Sequence, residues 1–337
     1  MGDVILSTPV LSAIKKSFPT ASVSMLVAPA AEQLVAGHPH LDAILTDDEA
    51  GEHGGMAGLL KLAKRIRAGR FDAAIVLHPT LRLALVCVLS RIPVRLGTAY
   101  RAYSFLFNIR VKQHRKKSGR HELDLNLDLI SAIGAKLDRV EFCFHTPQAA
   151  QERASHLLKE RAIDPQQGYI VLHPGSGGSA LDWPAASFGK LAKRIFDEWN
   201  IPVVITGSRG EKELVDRVVA HAHTDVVRLD GQLDIKELAC VLEKASVVVA
   251  NSTGPLHLAV ALGTEVVGLY CPIEACLPNR WGPYNRPDSV LMPRAEICTT
   301  CKKKDCTFGN CMSLITVEQV FEKVQEKLGR THAVKVV

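Results

Sequence analysis

Two short turns in this chain carry the residue types that hold phosphate. The first lies in Ser246-Val-Val-Val-Ala-Asn-Ser-Thr-Gly-Pro-Leu-His257. Ser246 to Ala250 is apolar and mostly β-branched, the make-up of a buried parallel strand. Asn251, Ser252 and Thr253 are N-cap types, and Pro255 suits the first turn of a helix. A strand that turns straight into a helix aims backbone N–H groups and the positive end of a helix dipole at one point, which attracts an anion. The second turn is His173-Pro-Gly-Ser-Gly-Gly-Ser-Ala-Leu-Asp-Trp-Pro184, after the apolar Tyr169-Ile-Val-Leu172. Its three closely spaced glycines let backbone approach a ligand without Cβ clashes. It is neither a Walker loop nor a G-x-G-x-x-G fingerprint. Either turn alone equally fits an ordinary capped strand-to-helix connection. Two in one half of a chain point to a diphosphate held between them.

Other groups could also do chemistry. Cys298, Cys301, Cys306 and Cys311 have the spacing C-x2-C-x4-C-x4-C in a lysine-rich stretch. That spacing is compatible with zinc or an Fe–S cluster, and equally with reduced thiols or a labile disulfide. The remaining five of nine cysteines are scattered in apolar contexts and read as reduced core thiols. The net charge of +6 is concentrated in Arg110-Val-Lys-Gln-His-Arg-Lys-Lys-Ser-Gly-Arg-His121. This run reads either as a solvated loop or as a contact for anionic lipid headgroups or a phosphorylated glycolipid. Nucleic acid is not the expected partner, because aromatics are only 5% of the chain and none interleaves the run.

The elements around these groups alternate. With 47% apolar and 23% charged residues over 337 positions, the chain reads as a globular protein of two domains. No apolar run reaches membrane-spanning length and no signal peptide is read, so the expected compartment is the cytoplasm. Strands are expected at residues 22–28, 73–77 and 94–97, with helices at 9–17, 56–68, 81–91 and 122–133. In the second half, strands at 169–172, 203–206, 226–229, 247–250 and 266–269 alternate with helices at 187–199, 211–221, 235–244 and 255–262. This is the α/β pattern of two doubly wound parallel sheets, with ligands beyond the carboxyl ends of the strands. The boundary is placed at residues 144–149, giving domains 1–147 and 148–337, with the last helix packing back on the first domain.

Gly2-Asp-Val-Ile-Leu-Ser-Thr-Pro9, His173-Pro-Gly-Ser-Gly-Gly-Ser179 with Trp183-Pro184, and Asn251-Ser-Thr-Gly-Pro-Leu-His257 together resemble glycosyltransferase family nine, the ADP-heptose lipopolysaccharide heptosyltransferases and their relatives. The resemblance runs over nearly the whole chain, in the family's order. It implies a GT-B architecture of two Rossmann-like domains facing a central cleft, the second holding a nucleotide-sugar and the first an acceptor. It implies inverting transfer without a required cofactor or metal, at the inner face of the inner membrane.

Inverting transfer needs a general base and stabilisation of the departing diphosphate. The resemblance gives the base to Asp3, which by position is also an N-cap candidate for a helix over residues 4–16. It gives the donor to Ser176, Gly177, Ser252, Thr253, Gly254 and His257. Glu211 is a candidate for the ribose hydroxyls and Leu233 for the base. Arg82, Arg101, Lys117 and Arg120 are candidates for an anionic glycolipid acceptor. Leu181 and Asp182 stand where the family often has a cation before Trp-Pro; Arg209 or Arg280 could replace it. Ser252 stands in place of a family aspartate. The family's Gly-Asp follows a buried first strand. Met1 is therefore expected to be internal to the natural reading frame, with a strand of roughly 5–6 residues missing and backbone groups unpaired mid-sheet. Two other readings stay open: a catalytically weak or inactive nucleotide-sugar-binding protein, and a metal-dependent module built on the cysteine stretch.

Overall fold

In a computed structural model, residues 1–115, 118–137, 139–294 and 309–334 are described, with backbone alone at 331–334. Contacts divide the chain into two units: Asp3–His145, and Thr146–Val337 together with Met1 and Gly2. The first unit runs α1 (Gly2–Ile5), α2 (Thr8–Ser17), β1 (Ser24–Val27), α3 (Glu32–Val35), β2 (Ala43–Thr46), α4 (Gly55–Ala68), β3 (Ala73–Ile75), α5 (Leu81–Leu89), β4 (Val94–Thr98), β5 (Ile109–Val111) and α6 (Glu122–Ser131). The second runs α7 (Gln148–Lys159), β6 (Ile170–His173), α8 (Ala185–Trp199), β7 (Val203–Ile205), α9 (Lys212–Ala222), β8 (Val227–Arg228), α10 (Ile235–Glu243), β9 (Val247–Asn251), α11 (Gly254–Ala261), β10 (Val266–Leu269), α12 (Pro278–Trp281), β11 (Val290–Leu291) and α13 (Val317–Val334). Among the described residues no helix is long and apolar enough to cross a membrane.

The second unit is one six-stranded parallel sheet in the order β11-β10-β9-β6-β7-β8. Its central strands β6 and β9 are buried along their whole length, as strands covered on both faces must be. On α8, Phe188, Leu191, Ala192 and Ile195 recur at three- and four-residue spacing and bury one stripe against that sheet. The helix stops at Asn200, whose left-handed φ of 51° ends it. The last helix belongs to this core: Val320, Phe321, Val324 and Leu328 of α13 pack with the strands and α8.

The first unit holds its strands in two parallel pieces, β1-β2 and β3-β4-β5. Sequence reading missed β2 and β5, both three or four residues long. The pieces share one apolar cluster. Leu26, Leu45, Ala74 and Val76 pack with Leu59, Leu62 and Ile66 of α4 and with Ala84, Val86 and Cys87 of α5. In the second unit the first strand, β6, is central, with the next two strands on one side and the next three on the other. The first unit repeats the two and the three without a first strand between them among the described residues. Thus β1 is paired only to β2, and β3 only to β4. Their residues are half-buried or exposed except Val27, unlike those of β6. Joining Tyr-Ile-Val-Leu-His, the sequence of residues 169–173, ahead of Met1 through a short linker is expected to pair both edges and raise the unfolding midpoint by about 4 °C or more. A proline at the centre of the added strand removes a ladder hydrogen bond and should cancel the gain.

Candidate functional site

The two turns leave the sheet side by side. Strands β6 and β9 pair in parallel with His173 opposite Ala250, so the glycine turn follows one and the polar turn the next. Asn251 ends β9 with its side chain fully buried. Its Oδ1 accepts the Trp183 N–H at 3.0 Å, and its Nδ2 donates to the Pro174 carbonyl at 2.6 Å and to Asp182 at 3.4 Å. One amide therefore closes the glycine turn at both ends. The sequence had marked Asn251 only as a cap type; a carboxamide at the end of an unbroken apolar strand was the available signal. Trp183 anchors the far limb, fully buried, with its indole N–H donating to Ile315 and its ring edge-on to Phe188.

Within the glycine turn, Gly177 and Gly178 have φ of 58° and 82°, which L side chains rarely adopt. Gly175 is there for another reason: a Cβ would stand 1.9 Å from Glu211 Oε1. Ser176 is buried and its hydroxyl bonds to Ala180 inside the turn. Glu211 reaches the turn from the loop after β7. Its carboxylate accepts the N–H and hydroxyl of Ser208 at 2.7 and 2.9 Å, a capping box, and the Gly177 N–H at 3.3 Å. Partial burial works against the Glu211 charge. The Ser208 bonds, the nearby His173 and the Gly177 N–H outweigh it and hold the carboxyl below its ordinary range. Burial pushes the His173 imidazole down to about 4; its Nδ1 pairs with the Thr206 hydroxyl at 2.9 Å.

The other turn is built differently. Thr253, at the N-cap of α11, is extended, and its side chain makes no capping hydrogen bond. Thr80 and Asp234 do cap α5 and α10. The first turn of α11 has no acidic residue, and Pro255 sits in it. The positive end of a buried helix is thus left without a carboxylate of its own. His257 is buried on that first turn, with its ring against Gly2, and the Met1 side chain lies against Gly254. Ser252 donates its N–H to Leu269, and its hydroxyl pairs with the Tyr270 phenol, which burial pushes up. Leu233 is half-buried just before the Asp234 cap.

In the first unit, Asp3 lies inside the first turn of the short helix α1, not at an N-cap, and is exposed. The helix expected over residues 4–16 is broken after Ile5 and restarts at Thr8. Arg82 is bound within its own unit, donating to Asp47 at 2.8 and 2.9 Å and to the His53 carbonyl at 2.7 Å. Arg120 pairs with Asp128, and Arg115 with Glu122, so the basic run is partly neutralised locally. Arg101 is exposed. Lys117, Cys298, Cys301 and Cys306 lie outside the described residues; Cys311 is buried. Among the described residues no cluster of three or more His, Cys, Asp or Glu is placed to hold a metal ion.

The family model described as glycosyltransferase family 9 (heptosyltransferase) matches residues 59–312. The lipopolysaccharide core heptosyltransferase OpsX of Haemophilus influenzae is 24% identical over 98% of this chain and 94% of its own length. Two solved structures share the fold. The family 9 glycosyl transferase of Veillonella parvula has a TM-score of 0.84 at 22% identity, covering 98% of this chain and 94% of its own. The ADP-heptose lps heptosyltransferase II of E. coli has a TM-score of 0.76 at 21% identity, covering 98% and 96%. The architecture is GT-B, and the chain belongs to glycosyltransferase family 9.

Proposed function

We propose that this chain is an inverting, metal-independent transferase that moves heptose from ADP-heptose onto a lipopolysaccharide inner-core or related anionic glycolipid, at the cytoplasmic face of the inner membrane. The observation that carries this reading is the uncapped amino end of α11 beside the glycine turn, the two fixed together by Asn251. A diphosphate there gains the helix dipole and amides of both turns, around Ser176, Gly177, Thr253 and Gly254, which offset the charge that builds as the sugar–phosphate bond breaks. His257 and Ser252 flank it. Glu211 faces the ribose and Leu233 the base. Relatives named as heptosyltransferases, one of them for ADP-heptose, support the choice of donor.

In this reading the exposed Asp3 carboxylate accepts the proton of the acceptor hydroxyl. The freed oxygen attacks the anomeric carbon opposite the diphosphate, and ADP departs. Arg101, Arg120 and Lys117 meet the acceptor's anionic groups. Arg82 has its main donors occupied by Asp47 and the His53 carbonyl and so holds the loop of residues 47–53 instead. Ser252 in place of an acidic residue, and Leu181 in the apolar core in place of a cation, favour the second reading of a protein that binds the nucleotide-sugar with slow or no turnover.

The donor is tested by a thermal-shift panel of ADP-, UDP-, GDP- and dTDP-sugars. ADP-heptose at a hundred times its Kd should add roughly 2.7 kcal/mol, a rise of roughly 5–10 °C. A larger response to another nucleotide overturns the choice of donor. The base is tested by ADP release with an acceptor present. Asp3→Asn should bind the donor normally and lose about 10²–10⁴-fold in kcat, whereas full turnover removes Asp3 from the chemistry. A wild-type chain that binds donor and releases no ADP selects the slow or inactive reading.

A further inference from the structure

Cys271 and Cys276 lie together against the glycine turn. Cys271 follows the buried end of β10 and is fully enclosed. The chain then folds back, with the Cys276 N–H donating to the Ile273 carbonyl at 2.8 Å and a single 3-10 turn at Glu274–Cys276. That sets the half-buried Cys276 against the apolar cluster that contains Cys271, close enough for the two thiols to interact. Both sulfurs also touch the glycine turn. The Leu181 N–H donates to Cys271, and Cys276 Sγ lies 3.6 Å from the Ser179 carbonyl oxygen. Leu181 and Cys276 pack on one apolar cluster that contains Cys271.

The pair is electronically unequal. The Cys276 hydrogen bond, joined by the N–H groups of Leu181, Ile273 and Cys271 itself, outweighs burial and brings the Cys271 thiol down to about 6. The same bond, burial and the Cys271 charge push Cys276 up. Of the two, Cys271 is therefore the thiol that the surrounding N–H groups favour as thiolate.

We propose that Cys271 and Cys276 form a reversible disulfide that loosens the glycine turn and weakens nucleotide binding, a redox latch resting on the donor reading above. The oxidant is a hydroperoxide. Cys271 sulfur attacks one peroxide oxygen, the O–O bond breaks, and the leaving oxygen departs as water after taking a proton. Cys276 sulfur then attacks the Cys271 sulfenic acid, the S–O bond breaks, and a second water leaves. Overall, two thiols and hydrogen peroxide give one disulfide and two waters. Closing to a bonded S–S distance of about 2 Å draws Cys276 off the Ser179 carbonyl. It also discharges the sulfur that accepts the Leu181 N–H.

Trypsin makes the bond directly visible, because the peptide of residues 245–280 contains Cys271 and Cys276 and no other cysteine. After hydrogen peroxide, that peptide should be lighter by two hydrogens and resist alkylation. ADP affinity should fall about tenfold, the scale of a lost charge-assisted hydrogen bond, and dithiothreitol should restore both. Cys276→Ser should show no bridge and keep its affinity through the same treatment. The proposal is overturned if the peptide stays doubly alkylatable at peroxide levels that oxidise the cysteines of residues 298–311, or if the bridge forms with ADP affinity unchanged. Reduced protein that binds no ADP refutes the donor reading instead, and the peptide mass still decides whether the bridge exists.

Discussion

The site depends on a single carboxamide with no access to water. Asn251 is placed by a strand whose other residues are wholly apolar, so its side chain must find partners within the protein. It finds them at both ends of the glycine turn, some seventy residues away in sequence. Each bond contributes only about 1 kcal/mol net, but leaving the buried Trp183 N–H or Pro174 carbonyl unpaired costs about 1–3 kcal/mol apiece. That asymmetry is what makes the arrangement stiff. Without the amide, the glycine turn and the amino end of α11 would be two independent loops on neighbouring strands. With it, the glycine turn is held beside the amino end of α11.

The electrostatics there are lopsided in a useful way. Some helices carry side-chain caps: Asp234 and Glu237 form a reciprocal box at α10, Ser208 and Glu211 another before α9, and Thr80 caps α5. At α11 Thr253 makes no side-chain cap and no acid stands in the first turn, as also at α2, α4, α7 and α8, but of these only α11 starts from the strand beside the glycine turn. Donors left unmet at the start of a buried helix are available to a ligand. Glu211 complicates the picture. It already gives the Gly177 N–H an anionic acceptor, so the glycine turn is organised before any ligand arrives. A ribose hydroxyl meeting Glu211 would therefore also be felt at Gly177.

How much of this was legible depended on the range of the interaction. The central strands β6, β9 and β10 were readable to within a residue, because strands buried on both faces are written as unbroken apolar runs. Strands β2, β5 and β11 were missed: at two to four residues they are too short to show a period, and pairing alone makes them strands. Gly177, Glu211 and Thr253 were marked as candidates because a local pattern singles them out. Arg82 was read as an acceptor candidate, and its pairing with Asp47 was not legible, since Asp47 lies thirty-five positions away with nothing in the sequence to link them. The Cys271–Cys276 pair looked like scattered core thiols for a related reason. Only the turn after Ile273 shows that the chain doubles back.

The placement of Asp3 follows from topology within its own unit. Strand β1 is parallel to β2 and is entered at its amino end by the helical stretch α1–α2. A helix that feeds the amino end of a parallel strand must start near the strands' carboxyl ends, because it runs back along the sheet. Helix α2 alone, Thr8–Ser17, at about 1.5 Å per residue gives roughly 15 Å, about the length of a four-residue strand. Asp3, in the helical turn that precedes α2, is therefore expected at the end of the sheet where α/β units bind ligands. The partitioning of strands adds to this. In the second unit the glycine turn leaves the central strand at the point where the strand order reverses. In the first unit the corresponding point lies between β1 and β3, the two edges that face no partner among the described residues. A helix serving that point would carry its first residues where the glycine turn stands in the second unit. That equivalence supports the proposed role of Asp3 on grounds separate from any resemblance.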